Sequence, residues 1–151
     1  VDELLTYKLP GSRLQGHPDM NKTPGVELTA GPLGEGLSVA FGMALAGRLE
    51  KRSYRVYVLM SDGELNTGMT WEAVMAIGHH RLDTITAIVD VNGLQVDGPT
   101  RGIIDTEPLG DKWRAWRWDA REKKSDQPPP IPAAPLLPSV LPPCRRWCRW
   151  Q

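Results

Sequence analysis

Cysteine and phenylalanine are scarce in this chain of 151 residues, which has two cysteines and one phenylalanine. Cys144 and Cys148 lie close together without a second pair, so the sequence predicts neither a disulfide framework nor a cysteine-based zinc site. No apolar run reaches the roughly 18 residues that a membrane-spanning helix requires, and no signal peptide is evident. We therefore expect a cytoplasmic setting.

An excess of charge of either sign is also lacking, because 18 Lys and Arg residues balance 18 Asp and Glu residues. A net charge of zero gives no electrostatic reason to bind nucleic acid or an anionic membrane surface. Hydrophobic residues make up 40% of the chain, which is enough for the modest core of a single domain. We expect one globular domain, with neither nucleic acid nor membrane as a partner.

Proline is unevenly distributed, and its distribution divides the chain into two parts. Residues 128–143 contain eight of the 14 prolines, and five of the six tryptophans lie at or beyond Trp113. Proline is excluded from helix interiors and from central strands. We predict a folded domain over residues 1–118 and an irregular Pro/Trp/Arg-rich tail over residues 119–151. The composition of this tail indicates polyproline-like or disordered structure. A shifted reading frame is the simplest explanation of the tail, and a genuine Pro-rich partner-binding tail is the alternative.

Helix and strand patterns alternate within the first part. Gly34–Lys51 is predicted to be an amphipathic helix because apolar residues recur at four-residue steps. Arg55–Met60 and Thr86–Val91 are nearly continuous apolar runs, as is typical of buried parallel strands, and Thr70–Leu82 between them resembles a helix. This βαβ unit predicts an α/β protein with a doubly wound, mainly parallel sheet that binds its ligand at the carboxyl edge.

Polar residues follow both predicted strands. Ser61-Asp62-Gly63-Glu64 follows the first strand, and Asp90-Val91-Asn92-Gly93-Leu94 closes the second. A right-handed crossover makes the two strands parallel, so both loops emerge at the same sheet edge. Carboxylate and amide oxygens beside glycines suit Mg²⁺ that carries a phosphorylated ligand. The alternative is that Asp-Gly and Asn-Gly are ordinary turn signals.

The motifs of this unit resemble those of transketolase. Asp62-Gly63, followed about thirty residues later by Asn92, is similar to the thiamine-diphosphate fingerprint, usually written Gly-Asp-Gly and Asn-Asn. Further segments resemble the family in the same order along the chain: Gly16-His17-Pro18, Gly25-Val26-Glu27, Gly31-Pro32-Leu33-Gly34, Asp62-Gly63-Glu64-Leu65-Asn66, Trp71-Glu72-Ala73 and Asn92-Gly93-Leu94-Gln95-Val96-Asp97-Gly98. The resemblance runs from Leu4 to Trp118 and is to the N-terminal, diphosphate-binding section, as found in transketolases split over two chains.

This resemblance implies a thiamine-diphosphate-binding fold with two cofactors, thiamine diphosphate and Mg²⁺. Asp62, the side chain of Asn92 and the backbone carbonyl of Leu94 would bind the metal. Gly63 would allow the diphosphate to approach the backbone. Two diphosphate oxygens and a water would complete an octahedral site.

The same resemblance assigns the rest of the site to the N-terminal part of the chain. Gly31, Pro32 and Leu33 would lie along the aminopyrimidine ring of the cofactor, and His17 would be the catalytic residue that faces the substrate. For His17 the alternative is an ordinary histidine in a surface loop. For Gly31-Pro32-Leu33 it is a loop that leads into the next helix.

The activity implied is that of a transferase of carbohydrate metabolism, as in the pentose phosphate pathway, which moves a two-carbon ketol unit from a ketose to an aldose. The chain resembles a section truncated at both ends, because the family's Lys-Gly-His segment and its pyrimidine-binding domain are not recognisable. That domain carries the Glu that activates the aminopyrimidine. We therefore expect a pyrimidine-binding partner subunit, a dimer or heterotetramer when complete, sugar phosphate substrates, and no activity alone.

Two residues depart from the family pattern, and two alternative functions are compatible with the sequence. Ser61 replaces the first Gly of the fingerprint, which would cost about 1 kcal/mol if the position needs a positive φ. Val91 replaces an Asp or Asn, which would remove a polar group beside the metal. The alternatives are another thiamine-diphosphate enzyme, such as a deoxyxylulose-phosphate synthase or a ketoacid dehydrogenase component, and a truncated product without catalytic function.

Overall fold

The computed structural model describes residues 2–124 and 146–150. The α-helices are α1 (Glu35–Leu49), α2 (Gly68–His80), α3 (Thr100–Ile103) and α4 (Leu109–Ala115). The strands are β1 (Val56–Ser61), β2 (Ile85–Val91), β3 (Leu94–Gln95), β4 (Gly98–Pro99), β5 (Ala120–Lys124) and β6 (Arg146–Trp150). Asp2–Thr6 and Gly63–Asn66 form 3₁₀ helices. Among the described residues, no helix is both long and apolar enough to cross a membrane.

The predicted βαβ unit is confirmed. Strands β1 and β2 pair in parallel, in a register that runs from Val56 opposite Ile85 to Ser61 opposite Asp90. Helix α2 connects them, and it begins two residues before and ends two residues before the predicted bounds. The carboxyl ends of the two strands therefore lie side by side, and the loops that follow them share one edge of the sheet.

The core lies between the sheet and helices α1 and α2. Ile85, Val89 and Val91 of β2 belong to one buried cluster, together with apolar residues of both helices. The cluster extends to Trp113 and Trp118, whose rings meet edge to face with centroids 4.7 Å apart. Trp118 also donates a hydrogen bond from Nε1 to the carbonyl of Val74 in α2, at 3.1 Å. The α/β class expected from the sequence is confirmed.

Strand β1 is less buried than its apolar sequence predicts. It lies at the edge of the described four-stranded sheet, whose order is β1-β2-β6-β5. Its residues alternate between the core side and an open side, where Tyr57 is 61% exposed and Leu59 is 73% exposed. An unbroken apolar run predicts burial on both faces, whereas the described residues cover only one face of this strand.

Part of the predicted irregular tail forms strands. Strand β6 pairs antiparallel with both β2 and β5, so the sheet is mixed. The expectation that the whole of residues 119–151 lacks regular structure is therefore wrong for β5 and β6. The physical reason is that both strands lie outside the proline run at residues 128–143, and proline is what prevents ladder pairing. That run itself lies outside the described residues.

Candidate functional site

Asp62 is the most deeply buried charged residue at the carboxyl edge of the sheet, with 2% of its surface exposed. It caps the 3₁₀ helix Gly63–Asn66, because its Oδ1 accepts from the backbone N–H of Gly63 at 3.0 Å. Its Oδ2 accepts from the N–H of Gly93 at 2.9 Å and from the hydroxyl of Thr100 at 3.2 Å. Asp62 is therefore more than a local turn residue, since it joins the loops after β1 and β2.

Burial of the Asp62 carboxylate raises its pKa above the ordinary aspartate value. The hydrogen bonds from Gly93, Thr100 and Gly63 act in the opposite direction and favour the charged form. Three donors also leave room on the two oxygens, because a carboxylate offers about four acceptor positions. A cation beside Asp62 would offset the cost of burying its charge.

Asn92 and Leu94 lie directly beyond the end of β2. The amide oxygen of Asn92 accepts from the N–H of Leu94 at 2.8 Å, and its Nδ2 donates to Oδ2 of Asp90 at 3.2 Å. Asn92 does not occupy the turn of a hairpin: β3 and β4 pair with Leu94 opposite Pro99 and Gln95 opposite Gly98, so that hairpin turns at residues 96–97. The sequence alternative, an ordinary Asn-Gly hairpin turn, does not describe this residue.

The structure thus brings Asp62, Asn92 and Leu94 to one edge of the sheet, because Gly93 is the residue that binds Asp62. One carboxylate, one amide oxygen and one backbone carbonyl form a set of hard oxygen donors, which fits Mg²⁺. Among the described residues there is no cluster of three or more His, Cys, Asp or Glu side chains that could hold a metal. A cation here would therefore need further oxygens, such as those of a diphosphate.

Gly63 is buried against the side chain of Gln95. A Cβ at Gly63 would lie 2.9 Å from Cβ of Gln95, so glycine is required there by a protein contact. Gln95 also accepts a hydrogen bond from Nδ2 of Asn66 at 3.1 Å. In this pair Oδ1 of Asn66 and Nε2 of Gln95 are buried without a hydrogen-bond partner. An acceptor and a donor beside Gly63 are thus available for a polar ligand or water.

His17 and Gly31 are neighbours, although fourteen positions separate them. A Cβ built on Gly31 would lie 3.4 Å from Nδ1 of His17. Pro32 and Leu33 are both exposed. The segment that they form is joined to the loop after β1 by a hydrogen bond of 2.9 Å from the N–H of Gly34 to Oε1 of Glu64. The segments that carry the predicted site residues are therefore linked one to the next. His17 lies against Gly31, the N–H of Gly34 binds Glu64, and Asp62 binds Gly93 in the loop after β2.

The two departures from the fingerprint have small local consequences. Ser61 is the last residue of β1 and does not have a positive φ. Its Oγ accepts a hydrogen bond from the N–H of Glu64 at 3.3 Å, so serine fits this position without backbone strain. Val91 is 7% exposed and belongs to the core cluster, because side chains alternate along β2. Asp90 and Asn92, on either side of it, face away from that cluster.

Sequence reasoning missed three residues of this site: Thr100, Gln95 and Glu64. Thr100 binds Asp62 from 38 positions away, and no local pattern indicates that contact. Gln95 and Glu64 were recognised only as members of motifs, without a role of their own. A cavity of about 590 Å³ lies beside the loop and is lined in part by Asn66, Trp71 and Trp116, but its lining does not include Asp62 or Asn92.

Comparison with known proteins identifies the family of the chain. The family model described as transketolase, thiamine diphosphate binding domain, matches residues 1–134. The chain is 44% identical over 117 residues to an apulose-4-phosphate transketolase subunit of Phocaeicola vulgatus, a match that covers 78% of this chain and 41% of that protein. It is also 44% identical over 118 residues to a 6-deoxy-6-sulfo-D-fructose transketolase subunit of a Clostridium species, covering 78% of this chain and 43% of that protein.

A solved structure shows the same fold. The transketolase of Campylobacter jejuni superimposes with a TM-score of 0.66 at 30% identity, over 76% of this chain and 19% of that one. The chain spans about two fifths of the length of the two transketolase subunits above, 41% of one and 43% of the other. The family model covers most of the chain and agrees with both the motif order and the fold. The chain belongs to the transketolase family, a family of transferases, and corresponds to its N-terminal thiamine diphosphate binding domain.

Proposed function

We propose that this chain binds Mg²⁺ and thiamine diphosphate as the diphosphate-binding section of a two-chain transketolase. The observation that carries the proposal is the hydrogen bond of 2.9 Å between Gly93 and the buried Asp62. This bond joins the loops that bear the proposed metal ligands Asp62, Asn92 and Leu94. A loop of turn residues would not require a buried carboxylate at its centre.

The residues have distinct roles in this proposal. The Asp62 carboxylate, the Asn92 amide oxygen and the Leu94 carbonyl would hold Mg²⁺, and Gly63 would lie next to the diphosphate. Thiamine diphosphate, when bound, supplies the carbanion chemistry by which a two-carbon ketol unit passes from a ketose to an aldose. The protein contributes binding and orientation.

The N-terminal segments complete the part of the site that this chain supplies. Gly31, Pro32 and Leu33 would lie along the aminopyrimidine. His17, which lies against Gly31 and is exposed, would face the sugar substrate and hydrogen-bond to its hydroxyl groups. Exposure of both segments supports a role at an opening between this chain and a second protein surface.

We further propose that activity requires a partner subunit with a pyrimidine-binding domain. The two relatives compared above are both named as subunits, and this chain covers 41% and 43% of them. Both names refer to ketose substrates, which supports a ketose donor here. The complete enzyme would be a dimer or heterotetramer acting on sugar phosphates, in a role like that of transketolase in the pentose phosphate pathway.

The first test is a thermal melt followed by circular dichroism, with and without Mg²⁺ and thiamine diphosphate. A ligand that binds only the native state stabilises it by about 2.7 kcal/mol at a hundredfold excess over its dissociation constant. We expect the melting temperature to rise with both cofactors in the unaltered chain and in Asp97→Ala, an exposed neighbour that serves as a matched control. We expect no rise in Asp62→Ala. An equal rise in Asp62→Ala would place the cofactor elsewhere and refute the assignment.

A second test concerns the reaction. The chain is mixed with a pyrimidine-domain subunit, a ketose donor and an aldose acceptor, and the products are identified. We expect ketol transfer only from the mixture. Formation of a deoxyxylulose phosphate or of an acyl product instead would assign the chain to a different class of thiamine-diphosphate enzyme.

A further inference from the structure

The two halves of the proposed site lie on chain segments that are separate in sequence. Gly31–Leu33, on the ring side, precedes α1, whereas Asp62 and Gly63, on the diphosphate side, follow β1. A hydrogen bond of 2.9 Å from the backbone N–H of Gly34 to Oε1 of Glu64 joins them. Gly34 directly follows Leu33, and Glu64 directly follows Gly63, so this bond lies at the junction of the two halves.

Glu64 is itself held in place by the loop after β1. Its N–H donates to Oγ of Ser61 at 3.3 Å, and its carbonyl accepts from the N–H of Thr67 at 3.0 Å and from the hydroxyl of Thr67 at 2.8 Å. Only its carboxylate reaches outward to the other segment. The Glu64 backbone is therefore fixed within its own loop, and its carboxylate makes the contact with the other segment.

Gly34, which donates to the Glu64 carboxylate, has a constrained backbone and close neighbours. It is the N-cap of α1, with a φ of 90° and no side-chain cap. The backbone conformation of Gly34 therefore sets the direction in which residues 31–33 lead into the helix. A Cβ at Gly34 would lie 2.5 Å from Oγ1 of Thr67, which shows how closely the two segments pack. The Glu64 carboxylate also lies at the amino end of α1, where the helix dipole favours a negative charge.

We propose that Glu64 is a positioning residue that sets the distance between the ring-binding segment and the diphosphate-binding loop. It would act through Gly34 on Gly31–Leu33 without contacting the cofactor. This inference rests on the proposed function. Its specific consequence is that the loss of the Glu64 carboxylate weakens recognition of the ring but leaves recognition of the magnesium diphosphate intact.

The experiment compares two ligands by titration calorimetry in excess Mg²⁺: thiamine diphosphate and inorganic pyrophosphate. We expect Glu64→Ala to weaken the binding of thiamine diphosphate about tenfold, because a hydrogen bond to a charged group is lost. The affinity for pyrophosphate should change less than about twofold. Glu64→Asp keeps the charge but shortens the side chain, so it should show the same selective loss. Glu64→Gln keeps an acceptor oxygen at the same reach and should restore most of the thiamine diphosphate affinity.

These variants separate the possible outcomes. Equal weakening of both ligands by Glu64→Ala and Glu64→Asp would mean that Glu64 has only a general structural role, and would overturn the inference. Unchanged binding of both ligands would overturn it as well. Asp62→Ala serves as the reference, since it should lose both ligands. If the unaltered chain binds neither ligand, the proposed function fails and the inference fails with it; if it binds both but no Glu64 variant discriminates, only the inference fails.

Discussion

Residues 2–33 and residues 34–122 each supply part of the proposed site, but they are held in place by different means. No residue of the first region is buried, whereas all the buried residues of the described chain lie in the second. The first region carries His17 and the ring-binding segment. The second carries the proposed metal ligands on the ends of two paired strands. Position is therefore determined by the sheet in one region and by local contacts in the other.

The local contacts of the first region are mostly exposed. The N–H of Lys8 donates to the carbonyl of Leu14 at 2.9 Å, and the N–H of Ala30 donates to the carbonyl of Pro18 at 3.2 Å. The ion pair between Arg13 and Glu3 is exposed on both sides, and such pairs contribute about 0–1 kcal/mol. We infer that ligand or partner binding would order this region more than the second.

The largest expected effect is the loss of stability on placing a charge in the second region at Val91. In the family pattern an acidic residue there would add a polar group beside the metal, but Val91 is 7% exposed and packs in the core. We expect Val91→Asp to reduce the free energy of unfolding by about 4 kcal/mol or more, because an unpaired charge would be buried. Urea denaturation measures this change.

Val96→Asp is the matched control for that experiment. Val96 is 100% exposed in the adjacent hairpin, so the same substitution should change stability by less than about 0.5 kcal/mol. If Val91→Asp retains the stability of the unaltered chain and binds Mg²⁺ more tightly, the residue faces the site and our account of the strand alternation is wrong.

The next effect is at Gly34, where the two regions meet. Gly34→Ala meets both a φ of 90° and a contact of 2.5 Å with Oγ1 of Thr67. We expect a loss of about 3 kcal/mol, of which the left-handed conformation accounts for about 1–2 kcal/mol and the contact for the rest. Thr67→Ala alone loses the hydrogen bond of 2.8 Å to the Glu64 carbonyl, so it is the reference for the double variant. Against that reference, Gly34→Ala should cost less than it does in the unaltered chain, because the contact with Oγ1 is gone and the cost of the left-handed conformation is kept.

Gly42→Ala provides the opposite case in the same helix. A Cβ at Gly42 would have no neighbour within 4 Å, and replacing glycine inside a helix stabilises it by about 1 kcal/mol. Thermal melts of these variants should therefore rank Gly42→Ala above the unaltered chain and Gly34→Ala below it. An unchanged melt for Gly34→Ala would show that the junction is not constrained.

A smaller effect is expected at Ser61. Because Ser61 is extended and its Oγ accepts from the N–H of Glu64, Ser61→Gly should remove a hydrogen bond and add chain entropy to the unfolded state. The expected loss is about 1 kcal/mol, observed as a lower denaturation midpoint. A gain in stability would instead mean that serine is strained at this position, as the family fingerprint first suggested.

The sequence was sufficient to predict those parts of the molecule whose position follows from periodicity. Strands β1 and β2 and helix α2 follow from apolar runs and spacing, and their parallel pairing brings Asp62 and Asn92 together without further information. The bonds of Asp62 to Thr100 and of Glu64 to Gly34 could not be predicted, because each joins residues 30 or more positions apart through side-chain geometry. Strands β5 and β6 could not be predicted because they flank a proline-rich run, and that composition indicates irregular structure for the whole tail.

The smallest effect on stability is expected at His17, and it separates the two regions most directly. His17 is exposed and lies against Gly31, so His17→Ala should change the free energy of unfolding by less than about 0.5 kcal/mol. Cofactor affinity should also stay unchanged, since the metal ligands, the diphosphate loop and the bond from Gly34 to Glu64 that positions the ring-binding segment are all unaltered. In the chain reconstituted with its partner, however, the rate of ketol transfer should fall, because a group that faces the substrate is lost. An unchanged free energy of unfolding with a reduced rate would show that His17 acts on the substrate and does not support the fold. A loss of stability of about 1 kcal/mol, with the rate unchanged, would make His17 a structural loop residue instead.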